Sequence, residues 1–277
     1  MYLLFDIGGT HMRLALSRDG KEIEGAPHVE DTPQKFEEAL ERIAAITKEL
    51  TSGAHVDAAA GGVPGPLDAD RTKLIRAPHL ADWIEKPLKE KFEQIFDAPV
   101  YLENDAALAG LGEAVRGAGV GFRIMAYITI GTGVGGARIV SRQIDTSALG
   151  FEPGHQIINH SKNVEETLEQ LISGTAIEKR YQKKPFELDD SAAWDEIAWH
   201  LSAGLTNTIV HWSPDIVIIG GSVAQKIPIE KVGMYVGKLL TIFPQGVPIA
   251  KAVLGDSSGL YGAIEHLHEK HLQNLTA

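Results

Sequence analysis

Twice along the chain a β-rich run ends in a short glycine turn and a second apolar run returns from it. Tyr2–Ile7 leads through Gly8-Gly9-Thr10 to Met12–Ser17, and Arg123–Ile130 leads through Gly131-Thr132-Gly133 to Val134–Val140. Each copy has the pattern of two antiparallel strands joined at a tight turn. The copies lie in different halves of the 277 residues, which suggests two domains of related topology. Chance recurrence of a Gly-Thr turn is the competing explanation. Length is compatible with either one large core or two modest ones.

The rest of the chain alternates strands with helices, the mark of an α/β protein. A third strand is expected over Glu22–Val29, then a helix opened by Thr32-Pro33, on which Phe36, Leu40, Ile43, Ile46 and Leu50 recur at helical spacing. Val56–Ala60 reads as a buried strand ending in the stiff turn 61–66, and Leu88, Phe92, Ile95 and Phe96 mark a second helix. Val100–Leu102 is a short strand running into Glu103-Asn104-Asp105, followed by an Ala-rich helix to Val115. In the second half a helix is expected around Val164–Tyr181, and another carries Trp194, Ile197, Leu201, Leu205, Ile209 and Trp212 on one face. Asp215–Ile219 is a buried strand ending in Gly220-Gly221, and Gly259–Leu272 is a closing helix.

Composition limits the partners. With 26 Lys+Arg against 37 Asp+Glu the net charge is −11, so no bulk basic field favours nucleic acid. The N-terminal apolar run stops at Asp6 and lacks a basic region before it, so no secretory signal is expected, and no run is long enough to span a bilayer. A cytoplasmic protein without a membrane partner is the expectation. The absence of cysteine excludes disulfides, thiol nucleophiles and Cys-ligated metal sites.

Three segments carry chemistry. Asp6-Ile7-Gly8-Gly9-Thr10 puts a carboxylate at a strand end and then two glycines that let backbone N–H groups approach an anion, with Arg13 just beyond. A tight hairpin with an incidental Asp is the bland alternative. Ile130–Gly136 holds four glycines in six residues from Gly131, more than a hairpin requires, and two such loops suggest a polyphosphate held between two domains. In Glu103-Asn104-Asp105 a carboxylate at a strand-to-helix junction can accept the proton of a substrate hydroxyl. Alternatively, Asn104 or Asp105 simply caps the helix.

Taken together, these residues resemble the ROK family of sugar kinases and repressors, within the actin-like ATPase superfamily. Asp6–Thr10 is similar to the family's first phosphate motif, Gly62-Val63-Pro64-Gly65-Pro66 to its Gly-x-Pro-Gly-Pro turn, and Glu103–Ala106 to its catalytic segment. Thr129–Gly136 is similar to its second phosphate loop, Glu152-Pro153-Gly154-His155 to its Glu-x-Gly-His, and Pro214–Gly221 to its adenosine-side strand and turn.

The resemblance implies a two-domain actin-like (ribonuclease H-like) α/β fold with the active site in the interdomain cleft. The small domain would be residues 1–105 with 259–277 returning to it, and the large domain 106–258. It implies ATP-dependent phosphorylation of a hexose, glucose first, with Asp105 as general base. Gly65, Asn104, Glu152, His155 and Glu169 would bind the sugar. Gly8, Gly9, Thr10, Arg13, Thr132, Gly133, Gly220 and Gly221 would hold the nucleotide, and Asp6 would lie nearest Mg²⁺, through water. The alternatives are a kinase for N-acetylmannosamine, fructose or N-acetylglucosamine, a polyphosphate-dependent enzyme, or a non-catalytic sugar-binding regulator. A homodimer is expected. The family's His/Cys zinc loop cannot form in a chain without cysteine, and the stretch Gln156–Glu165 is short, so no zinc is expected and Leu168, Leu171 and Ile172 must brace Glu169 by packing. Phe151 stands where the family usually has glycine.

Overall fold

A computed structural model of the chain describes residues 1–161, 164–243 and 245–272. It forms two compact units. The first comprises Met1–Val115, Thr146–Gly150 and the C-terminal residues from Asp256, and the second Arg116–Asp145 and Phe151–Gly255. Residues 273–277, assigned from sequence to the small domain, lie outside the described residues.

In the first unit, β1 (Tyr2–Ile7), β2 (His11–Ser17) and β3 (Glu24–Asp31) form an antiparallel meander. After α1 (Phe36–Thr51), β4 (Ala58–Val63) joins β1 in parallel; after α2 (Leu88–Phe96), β5 (Val100–Asn104) joins β4. The sheet order is β3-β2-β1-β4-β5. Side chains alternate across a strand, so Leu3, Phe5 and Ile7 enter one core with Val63 and Leu102. Phe36, Ala39, Leu40, Ile43 and Ile46 of α1 and Leu88, Phe92 and Phe96 of α2 complete it. Each larger side chain of this set contributes about 1.5–3 kcal/mol when fully buried.

The second unit repeats this plan. β6 (Ile124–Ile130), β7 (Val134–Val140) and β8 (Gln143–Ile144) are antiparallel neighbours. β11 (Ile216–Gly220) adds to β6 in parallel and β12 (Ile249–Lys251) to β11, giving β12-β11-β6-β7-β8. Read from the other edge, this is the strand order of the first sheet. Between β8 and β11 lie the hairpin β9 (Ile157–Ser161) and β10 (Val164–Thr167), then α4 (Leu168–Ile172), α5 (Gly174–Tyr181) and α6 (Ser191–Trp212). α7 (Ile229–Leu239) precedes β12. Ile197, Leu201, Leu205 and Ile209 on α6 are buried against Ile128, Val217 and Ile219 of the sheet.

Several sequence expectations change. The helix expected around Val164–Tyr181 begins only at Leu168, because Thr167 forms a capping box with Gln170, and it breaks at Ser173, which caps α5. Gly61 and Gly62 continue β4 instead of turning: a Cβ on Gly61 would lie 2.2 Å from the Phe5 carbonyl oxygen. Thr32 does not cap α1. The first free amide of that helix, Phe36 N–H, donates to the Asp82 carboxylate at 2.8 Å instead. α3 (Asp105–Arg116) falls almost wholly in the first unit, so the units part after Val115 where sequence suggested Asp105. The cause is glycine packing against α8 (Ser258–Leu267): Cβ atoms on Gly112 and Gly262 would sit 2.2 Å from Ser258 O and 1.8 Å from Leu108 O. No described helix is long and apolar enough to cross a membrane.

Candidate functional site

In the first unit the glycine loop closes a hairpin. Gly8 N–H donates to His11 O at 2.8 Å, and Thr32 clamps the loop from β3's end, its hydroxyl donating to Gly8 O and its N–H to Thr10 O, both at 2.8 Å. The Gly8 amide, assigned from sequence to phosphate, is therefore used within the fold, leaving Gly9 and Thr10 as the loop's amide donors. Asp6 pairs across the strands with Arg13 and with Gly62. Its carboxyl packs on the start of α8, where a Cβ on Gly259 would be 2.7 Å from Asp6 Cγ. Desolvation pushes the Asp6 carboxyl up to about 6, Arg13 draws it down, and Asp256 adds to the rise. Arg13 is ion-paired with Asp256 at 3.0 Å.

The end of β5 lies in the same unit. A Cβ on Gly62 would be 2.8 Å from Asp105 Cα, so glycine there lets the head of α3 approach β4. Asn104 Nδ2 donates to Gly65 O at 3.2 Å, and Asn104 Oδ1 accepts from Ala107 N–H at 3.0 Å. Asn104 thus does cap α3, and it ties the cap to the Gly65 turn. Gly65 holds φ +105° with Arg76 O 2.2 Å from where its Cβ would be, a position only glycine fills. Asp105 Oδ1 accepts from Ala106 N–H at 2.8 Å. Glu103, 4% exposed, accepts from Asn104 N–H at 2.9 Å and pairs with Arg71 at 2.9 Å. Burial raises the Glu103 pKa, while Arg71 and that N–H lower it.

In the second unit the corresponding loop is held differently. Gly131 N–H donates to Gly133 O at 2.9 Å; Gly131 O accepts from Gly174 N–H at 2.7 Å, and Thr132 O from the Thr175 hydroxyl at 2.9 Å. The loop is therefore bonded to the head of α5. Glu169 Oε2 accepts from Val134 N–H at 2.8 Å and stands 2.6 Å from where a Cβ on Gly133 would be. Pro153 packs on Gly136, and a Cβ on Gly154 would lie 2.1 Å from Val134 O, which seats Glu152 and His155 beside β7. Protein packed round the Glu152 carboxyl desolvates it and raises its pKa; His155 lowers it and Glu169 raises it. Glu152, His155 and Glu169 are thus neighbours. Phe151 stacks edge-on against Trp212, with ring centroids 4.9 Å apart.

The brace for Glu169 is visible. Leu168, Leu171 and Ile172 are 0%, 2% and 0% exposed. Leu168 N–H donates to Gln156 O at 3.0 Å, and Gln156 is held in turn by Asn207 at 3.0 Å. At β11's end, Gly220 lies against the Tyr127 hydroxyl, and Gly221, at φ +88°, lies against the Ile130 backbone. Sequence reasoning missed Thr32, Arg71, Asp256 and Gln156. Each acts on a partner far away in sequence, and a polar residue in a loop carries no local sign of that.

The fold is that of the two-domain actin-like ATPases, and the sequence profile of the ROK family matches residues 2–270. The chain belongs to the ROK family. It is similar to the ROK hexokinase from Thermus thermophilus, with 27% identity, a TM-score of 0.82, and coverage of 100% of this chain and 99% of that one. It is similar also to a ROK family glucokinase from Streptomyces griseus, solved in complex with glucose and AMPPNP, with 26% identity, a TM-score of 0.79, and coverage of 95% and 98%. A glucokinase from Thermotoga maritima is 26% identical over 308 residues, covering 96% of each chain.

Proposed function

We propose that this protein is an ATP-dependent hexose kinase, glucose being the first substrate to test, that transfers the γ-phosphoryl group to the sugar 6-hydroxyl. The observation that carries this reading is the end of β5. Asp105 sits at the head of α3 against Gly62, and Asn104 beside it is bonded to the Gly65 turn. In this reading Asp105 accepts the hydroxyl proton as the sugar oxygen attacks. Asn104, Glu152, His155 and the second oxygen of Glu169 pair with the other hydroxyls, because a desolvated hydroxyl must find a partner. Thr10, with the Gly9, Thr132 and Gly133 amides, binds phosphate oxygens, and Gly220-Gly221 lines the adenosine.

Mg²⁺ fits the donor set. Asp6 offers a hard carboxylate oxygen, and one carboxylate suffices for an ion that keeps waters and takes phosphate oxygens. Among the described residues no three His, Asp or Glu side chains come together as an all-protein cage. When bound, Mg²⁺ neutralises charge on the phosphates.

A sugar-phosphate assay over a panel of hexoses, with ATP and polyphosphate as donors and ADP release followed where ATP is used, tests the reading. ADP release that depends on a hexose supports it. Sugar binding without sugar phosphate formation, from either donor, would replace it with a regulatory role.

A further inference from the structure

The turn Ala77–Leu80 lies in the first unit, beside both the Gly65 turn and the glycine loop, and the roles given so far do not use it. Leu80 N–H donates to Ala77 O at 3.0 Å, and Ala77 and Leu80 are buried at 1% and 0% exposure. The turn is therefore fixed at both ends while Pro78 and His79 stand exposed at its tip. Its near side is locked to the Gly65 turn through the close approach of Arg76 O. Its far side reaches the glycine loop: a Cβ on Gly9 would lie 2.7 Å from His79 Cβ, 3.3 Å from Cγ and 3.7 Å from Cδ2. His79 thus links the turn read as lining the sugar to the loop read as holding phosphate. No described residue hydrogen-bonds or ion-pairs with its imidazole.

The charges nearby make such a donor useful. Arg13 is engaged by Asp256, and Asp6 adds a second carboxylate, so the protein side of this loop is not net cationic. The Gly8 amide is used up in the hairpin. An imidazole presents at least one N–H in either tautomer and can donate it to a phosphate oxygen.

We propose that His79 is a phosphate-contacting residue, donating a ring N–H to a non-bridging oxygen of the terminal phosphoryl group of the nucleotide, the group that moves. This rests on the kinase reading above for its function, but its binding can be measured separately. The terminal group is the one singled out because the turn that carries His79 is also locked, through Arg76 O, to the Gly65 turn, where the acceptor is assigned.

The test compares AMPPNP with ADP, both with Mg²⁺, by calorimetry on wild type, His79→Ala and His79→Gln, together with steady-state kinetics and melting temperature. His79→Ala is expected to lose about tenfold in affinity for AMPPNP and little for ADP, with kcat lowered and the melting temperature unchanged. His79→Gln, which keeps an N–H donor, is expected to recover most of that affinity. Equal loss for both nucleotides, loss of sugar affinity alone, or no loss would overturn the proposal, as would a wild type that binds neither nucleotide. If wild type binds AMPPNP but phosphorylates no sugar, the kinase reading fails while the AMPPNP and ADP comparison still decides the contact.

Discussion

The Gly8-Gly9 hairpin of the first unit and the Gly131–Gly133 hairpin of the second occupy the same place in sheets of the same strand order, yet they are held by different means. The first is clamped by a threonine from β3's end and surrounded by charge: Asp6, Arg13 and Asp256. The second is bonded to the head of α5 through its backbone carbonyls, and the one carboxylate bonded to it, Glu169, accepts a backbone N–H. One scaffold has thus been given an ionic loop and a backbone-braced loop. Substitutions should affect the first through charge and pH, and the second through loop position.

The sharpest break in this comparison lies at the end of β5. Asp105→Asn is expected to keep the fold and sugar affinity and to lower kcat at least ~10²-fold, the scale of a lost general base. An active variant with an unchanged melting curve would reduce Asp105 to a residue that only starts α3. In the second unit Glu169 has two tasks that substitutions can separate. Glu169→Gln can still accept the Val134 N–H, so KM for sugar should rise about tenfold with KM for ATP little changed. Glu169→Ala should raise both, because the loop amide loses its acceptor. Equal KM profiles for the two variants would show that the loop contact does not matter.

The ionic loop predicts a pH dependence of stability that centres on Asp6. Asp6 has a folded pKa of about 6 against a reference of 3.8, so the folded state holds more protons between those values and stability falls as pH rises through that window. Asp6→Asn should remove that slope and stabilise the ligand-free protein at pH 7 by up to about 3 kcal/mol, while weakening Mg²⁺-dependent nucleotide binding. Thermal melts from pH 4 to about 7 read the slope; a slope kept in the variant would assign it elsewhere. The smallest effect is expected at the Glu169 brace, which is built from Leu168, Leu171, Ile172 and Gln156. A zinc-selective chelator, with Mg²⁺ in excess, should change neither melting temperature nor turnover. Tightly held zinc by elemental analysis, lost together with activity, would contradict this and direct attention to His155, His160 and Glu165.

What the sequence determined by itself was local and periodic. The apolar spacing of α1 marked its buried face, the two glycine turns marked the hairpins, and the lack of cysteine excluded a Cys-ligated zinc loop. Asn104 and Asp105 were legible as a pair because a strand hands over to a helix within a few residues. The tertiary structure decided which groups meet. Thr32 was read as a cap for the helix after it, yet it bonds Gly8, and the amide it was expected to cap is met by Asp82, 46 residues from Phe36. Arg71 reaches Glu103, Asp256 reaches Arg13, and His79 lies on Gly9 only because their loops are folded back onto the sheet. The reason is physical: periodicity records how one element turns toward a core, whereas a polar side chain in a loop is chosen for a partner that only the folded chain brings near.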